Sequence, residues 1–100
     1  MFLKQLIGFL IKASSDPRLG PHHLALYIAL FQQWCMNHGE NPIEVTLAQL
    51  RDLAKIGRTS YYKSMRELEE YGYIQYVRSS SPVLGSLVYL EQLIEVAEPS

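Results

Sequence analysis

The 100-residue sequence holds a single cysteine, Cys35, so an intramolecular disulfide is excluded and a reducing, cytoplasmic setting is expected. Charge of either sign is not in excess. The formal net charge is −1 and the pI about 6.3. This removes any global electrostatic argument for nucleic acid and leaves the distribution of charge to decide. No apolar run is long enough to span a bilayer. There is no Gly-rich phosphate loop, no nucleophile elbow, and no histidine beside an obvious nucleophile and acid, so the chain reads as a non-enzyme without a cofactor. Cys35-x-x-His38, with His22 and His23, has the spacing of half a zinc site. Structural zinc wants four ligands, and the second pair is missing, so no metal is expected. Without a metal, His22 and His23 read as surface residues at a helix start, Cys35 as buried, and His38 as a helix end.

What is present is a globular composition, 48% hydrophobic and 19% charged, in one domain with a modest core. Residues 1–18 read as a helix and linker, 19–90 as the body, and 91–100 as a short closing helix or tail. In 1–13, Phe2, Leu3, Leu6, Ile7, Phe9, Leu10 and Ala13 make a broad apolar face, with Lys4, Gln5, Gly8 and Lys12 opposite. Charge interrupts the run and no small-x-small site follows, so it does not read as a signal peptide. So small a domain would struggle to bury this many large residues alone, which points to a homodimer interface. Ser14 to Pro21 is a turn-rich connector. His22 to His38 is apolar nearly all round and is expected as the central helix, covered on more than one side. Ile43 to Val45 is a candidate short strand.

The chain is organised around Thr46 to Tyr76. Thr46 with Gln49 is a capping-box start, and Leu47, Leu50, Leu53 and Ala54 fall on one helical face. Gly57 is expected to supply the break. A second helix is expected from about Thr59 to Tyr71, with Tyr61, Met65 and Leu68 as its buried stripe and Gly72 at its left-handed stop. Tyr73 to Val77 and Leu87 to Leu90 read as two strands. Two short helices at a Gly-bearing turn, followed by a strand pair, predict a mainly α fold with a small β-hairpin wing, a winged helix-turn-helix.

The second helix reverses the usual placement of charge. Lys55, Arg58, Lys63 and Arg66 crowd its start, and Glu67, Glu69 and Glu70 its end. Each misplaced charge costs about 0.3 kcal/mol or more against the helix dipole. The pairs Lys63–Glu67 and Arg66–Glu70 are expected to offset part of this. A polyanion at the helix start would offset the rest. Six of the nine lysines and arginines lie between Arg51 and Arg78. On this reading Thr59, Ser60, Tyr62, Lys63 and Arg66 form the exposed, base-facing side, and Arg51, Lys55, Arg58 and Arg78 flank it toward phosphate. In the wing loop, Arg78 and Ser79 to Ser81 are candidate phosphate donors, while Val83 and Leu84 suit packing against protein.

The stretches LYIALFQQW and LAKIGRTSYYKSMRELEEYGYIQY, with Ser79, Pro82, Gly85, Ser86, Val88 and Leu90 after them, resemble small bacterial winged-helix transcriptional regulators, often of mobile elements. More distantly the chain is similar to the winged helices of MarR-type repressors and phage replisome organisers. The resemblance covers Leu26 to Leu90 and is most specific in the KIG turn and the G-Y-I strand entry. It implies double-stranded DNA binding by the helix from Thr59 to Tyr71, with the wing on the backbone. Leu84 and Leu87 stand where the family leads one to expect basic residues. Three functions follow as expectations: a dimeric sequence-specific regulator, a replication or transfer factor of a mobile element, and a winged helix for protein contacts.

Overall fold

The computed structural model describes residues 3–78 and 85–92. Among these the chain forms four helices and a three-stranded antiparallel sheet, in the order α1 (Leu3–Ser14), α2 (Pro21–Met36), β1 (Ile43–Val45), α3 (Leu47–Ala54), α4 (Arg58–Glu70), β2 (Ile74–Val77), β3 (Ser86–Leu90). This arrangement is compatible with a winged helix. The expected closing helix and the tip of the wing loop lie largely outside the described residues. Leu90 is the last residue of β3, where the second strand was expected to end. No helix of the described residues is long and apolar enough to cross a membrane.

Local chemistry accounts for most element ends. Pro21 opens α2 at its first helical position, where the missing N–H costs nothing. Thr46 Oγ1 accepts the Gln49 N–H at 3.2 Å and Gln49 Oε1 accepts the Thr46 N–H at 3.3 Å, so the expected capping box closes in both directions. α4 ends in a Schellman motif. Gly72 is left-handed at φ 86°, its N–H reaches the Glu69 carbonyl, and the Tyr73 N–H reaches the Leu68 carbonyl. The break between α3 and α4 differs from expectation. Lys55 takes the left-handed conformation, at φ 60°, and its N–H returns to the Arg51 carbonyl at 2.8 Å. Gly57 stays extended at φ −76° and serves as N-cap of α4. The stop falls at Lys55, two residues before the glycine, and the turn between the helices then buries Ile56.

β3 is the central strand, with β1 and β2 on either side. Ile43 pairs with Val88 and Val45 with Ser86, while Ile74 pairs with Leu90 and Val77 with Leu87. Asn41 extends the sheet by one rung, its side-chain amide exchanging two 3.0 Å hydrogen bonds with the Leu90 backbone. The core gathers Leu26, Tyr27 and Leu30 of α2, Leu50 of α3, Tyr61, Met65 and Leu68 of α4, and Ile43, Val45, Ile74 and Val88 of the sheet. Burying each such side chain contributes about 1.5–3 kcal/mol before entropy is counted.

α1 leaves much of its broad apolar face uncovered, as expected for so small a domain, while Gly8, expected on the opposite face, is buried. Phe9 and Gly8 are buried, and Leu3, Ile7, Leu10 and Ile11 remain about half exposed. Aromatic and polar anchors set the rotation. Phe9 stacks on Tyr27 with centroids 3.7 Å apart and meets Tyr73 edge-on at 5.6 Å. Gln5 Nε2 donates to Tyr27 Oη and to the Glu91 carbonyl, both at 2.8 Å, and Lys12 lies over the Tyr73 ring. α2 touches α3, α4 and β1 and is thus covered on more than one side, as expected, with Leu24, Ile28 and Met36 left exposed.

Candidate nucleic-acid interface

α4 presents three sides. Tyr61, Ser64, Met65 and Leu68 are buried. Thr59, Lys63, Arg66 and Glu70 recur at i, i+4, i+7 and i+11 and are all exposed, so they form one stripe turned to solvent. Tyr62 and Glu69 lie on the side nearest β2, where Glu69 Oε2 accepts the Tyr76 N–H at 2.9 Å. Ser60, Glu67 and Tyr71 lie on the opposite side, toward the start of α2. Ser60 therefore does not share a face with Tyr62, Lys63 and Arg66 as expected. The two residues flank the buried Tyr61, and a turn of 3.6 residues sends them to opposite edges of the helix.

On the β2 side, side chains from three elements meet. A depression of about 320 Å³ is lined by Arg58 and Tyr62 of α4, Tyr76 of β2, Arg78, Thr46 and Ser86, among others. A second, of about 490 Å³, shares Tyr62, Tyr76 and Arg78 and adds Arg66 and Glu69. The residues lining the first include no carboxylate. In the second the one acid, Glu69, is already engaged by the Tyr76 N–H. The Arg58 guanidinium lies 5.8 Å from the Tyr62 ring centroid, within cation–π reach. Burial and the neighbouring Tyr76 and Tyr62 push the Tyr61 phenol up, so it stays neutral behind the arginines.

Arg51 and Lys55 are exposed but lie apart from this groove, in a depression at the α3–α4 turn with Asp52 and Gly57. The nine sequence-derived residues therefore divide into Arg51 and Lys55 at the turn, Thr59, Lys63 and Arg66 on the outer stripe, Arg58, Tyr62 and Arg78 in the groove with Arg66 at its edge, and Ser60 toward α2. No protein-family model, curated protein or solved structure matches this chain.

The functional reading thus rests on the residues themselves, and sequence reasoning missed some of them. Tyr76 joins the groove two residues before Arg78, and that period-2 spacing was the available signal. His23 is buried, not a surface residue as expected. Its Nδ1 accepts the Gly20 N–H at 2.9 Å, so Nε2 carries the ring proton and donates to Glu67 Oε1, also at 2.9 Å. Partial burial opposes ionisation of Glu67. The His23 hydrogen bond, His23, Lys63 and the Tyr71 hydroxyl together outweigh it and hold the carboxyl below its ordinary range. Among the described residues no close ion pair joins Lys63 to Glu67 or Arg66 to Glu70, so of the two pairs expected on α4 only the first acts, through space. Nor does any group of three or more His, Cys, Asp or Glu there gather as a metal site would.

Proposed function

We propose that this chain is a winged helix-turn-helix that binds double-stranded DNA sequence-specifically and regulates transcription, with α4 as the recognition helix in the major groove. One observation carries the reading. The outer stripe of α4 and the arginine-lined groove between α4 and β2 adjoin at Arg66, so base-facing and phosphate-facing groups form one surface. Thr59, Lys63 and Arg66 meet base edges, Arg66 having the fork that takes guanine O6 and N7 together. Arg51, Lys55, Arg58 and Arg78 meet phosphates on either side. A cytoplasmic homodimer through the outer face of α1 would set two copies of α4 about one DNA turn, ~34 Å, apart. The same contact would serve a replication or transfer factor of a mobile element, which genomic neighbourhood distinguishes from a regulator.

The deciding experiment is selection of bound sequences from random duplex DNA. An enriched motif that changes with Lys63→Ala or Arg66→Ala supports the reading, and recovery of no motif refutes sequence-specific binding. A second reading, a winged helix for protein contacts, is favoured by one feature. Val77 and Leu87 face each other across β2 and β3 and are 50% and 37% exposed, an apolar pair where a phosphate-facing wing wants polar groups. That reading expects no duplex affinity at all.

A further inference from the structure

The DNA-binding reading uses the outer stripe of α4 and the arginines, and assigns no ligand contact to Tyr62 and Tyr76, two half-buried tyrosines that pack against the core on one side and line the groove on the other. Tyr62 and Tyr76 line both depressions beside β2, together with Arg78. An intact duplex presents phosphates, sugars and the edges of its bases, and keeps the faces of the bases stacked inside. Recessed aromatic side chains among arginines are the pattern that meets single-stranded nucleic acid, where unpaired bases stack on rings and cations track the backbone. The smaller depression, at about 320 Å³, is within the range of small-ligand pockets, and its lining carries Arg58 and Arg78 with no carboxylate. On its wall the Thr46 hydroxyl, whose oxygen accepts the Gln49 N–H, keeps its proton for a sugar or a phosphate oxygen, while the Ser86 hydroxyl donates to Tyr76 Oη at 3.4 Å.

We infer that the groove between α4 and β2 takes an unpaired nucleotide, its base against Tyr62 and Tyr76 and its phosphate between Arg58 and Arg78, so that the preferred substrate is duplex DNA bearing an adjacent single-stranded segment. This rests on the DNA-binding reading and names its substrate more closely.

The test measures affinity for a blunt duplex, the same duplex with a short thymine overhang, and the overhang strand alone. The overhang duplex should bind roughly tenfold tighter than the blunt one, the scale of one base–aromatic stack. Tyr76→Phe should keep that preference and Tyr76→Leu should lose it, each read as the ratio of overhang to blunt affinity within the variant. Because Tyr76 also belongs to a short strand, the wild-type protein gives an independent measurement. An overhang carrying 5-iodouracil, irradiated in the complex, should crosslink to Tyr62 or Tyr76. Equal affinity for blunt and overhang duplexes, or crosslinks that map elsewhere, overturns the inference and leaves duplex binding standing. Absence of binding to all three DNAs overturns both. A free deoxynucleotide at the oligonucleotide's own concentration should not displace the overhang duplex; displacement would assign the groove to a small phosphorylated ligand and also overturn the inference.

Discussion

Gly85→Ala should destabilise the fold far more than Gly57→Ala, although the sequence marks Gly57, and not Gly85, as a glycine that the chain's course requires. Gly85 has φ 72°, and a Cβ there would lie 2.6 Å from the Val45 carbonyl oxygen. A non-glycine residue in the left-handed region costs about 1–2 kcal/mol. The carbonyl cannot yield freely, because Val45 pairs with Ser86 and precedes the cap of α3. Relieving the contact strains that rung, adding about 1–2 kcal/mol. The sum, about 2–4 kcal/mol, lowers Tm by at least roughly 8 °C in a domain of this size. Gly57 has φ −76°, and a Cβ there meets nothing within 4 Å. Its replacement gains about 0.4–1 kcal/mol from the unfolded chain and loses a similar amount because Ala is a poorer N-cap, leaving a change near zero. Thermal unfolding followed by far-UV circular dichroism reads both variants. A Gly85→Ala protein that melts within about 2 °C of wild type would refute the close approach of the wing base to β1.

The quadruple replacement of Arg51, Lys55, Arg58 and Arg78 by Ala should weaken all duplexes about equally and flatten the salt dependence by roughly one unit per residue; unchanged affinity for a random duplex removes the DNA reading. Replacing Leu3, Ile7, Leu10 and Ile11 with Ser should give a folded monomer by analytical ultracentrifugation, whereas a variant that sediments like wild type excludes this face from assembly. Glu70→Gln takes an acid off the outer stripe and should tighten binding to any duplex; a protein-only interface expects no change. Acid stability depends on Asp16 and Glu67. The Arg18 hydrogen bond, ahead of an opposing desolvation and a Tyr73 bond, holds the Asp16 carboxyl well below its usual value, and Glu67 is also lowered. Both depressed groups stabilise the fold above their unfolded pKa values, near 4, and lose that contribution as pH falls through the folded ones. Asp16→Asn should therefore reduce the drop in Tm between pH 5 and pH 2, and an unaltered profile would contradict it.

What proved legible in the sequence was local. The Thr46–Gln49 box, the Tyr61–Met65–Leu68 stripe, the left-handed Gly72 and the short strand at Ile43 each depend on residues within a turn or two. The rotation of α1 was not legible, because its apolar residues outnumber the places available to them. Phe9 wins the core through two aromatic neighbours from distant elements, and hydropathy spacing does not rank one large residue above another. The His23–Glu67 bond spans 44 positions, with no sequence signal beyond the two residue types. At the α3–α4 turn a real signal misled. Glycine is the usual left-handed residue, yet here Lys55 accepts the strain and Gly57 caps the next helix, so the break was read in the right place with the wrong residue carrying it. Of the candidate site, the arginines were legible as a cluster. Their division between the turn and the groove was not, since it depends on where β2 packs along α4.

The reversed charges of α4 carried much of the functional argument, and the structure divides them. Glu67 holds His23, and Glu69 holds the Tyr76 N–H, so two of the three acids at the C-terminal end have structural tasks that offset their unfavourable position against the helix dipole. Those acids no longer count as evidence for a polyanion. The cations do. Lys63 and Arg66 are exposed and make no ion pair among the described residues, and Arg58 has only the Tyr62 ring. Lys63 and Arg66, three residues apart, repel one another by a few tenths of a kcal/mol, of which Lys63 recovers part through its attraction to Glu67. Local rules that fail without structural compensation tend to fail at functional sites. The imbalance that remains lies with Arg58, Lys63 and Arg66, in the N-terminal two-thirds of α4, and with the exposed Glu70 at its end; under the proposed reading those cations are the ones that meet DNA.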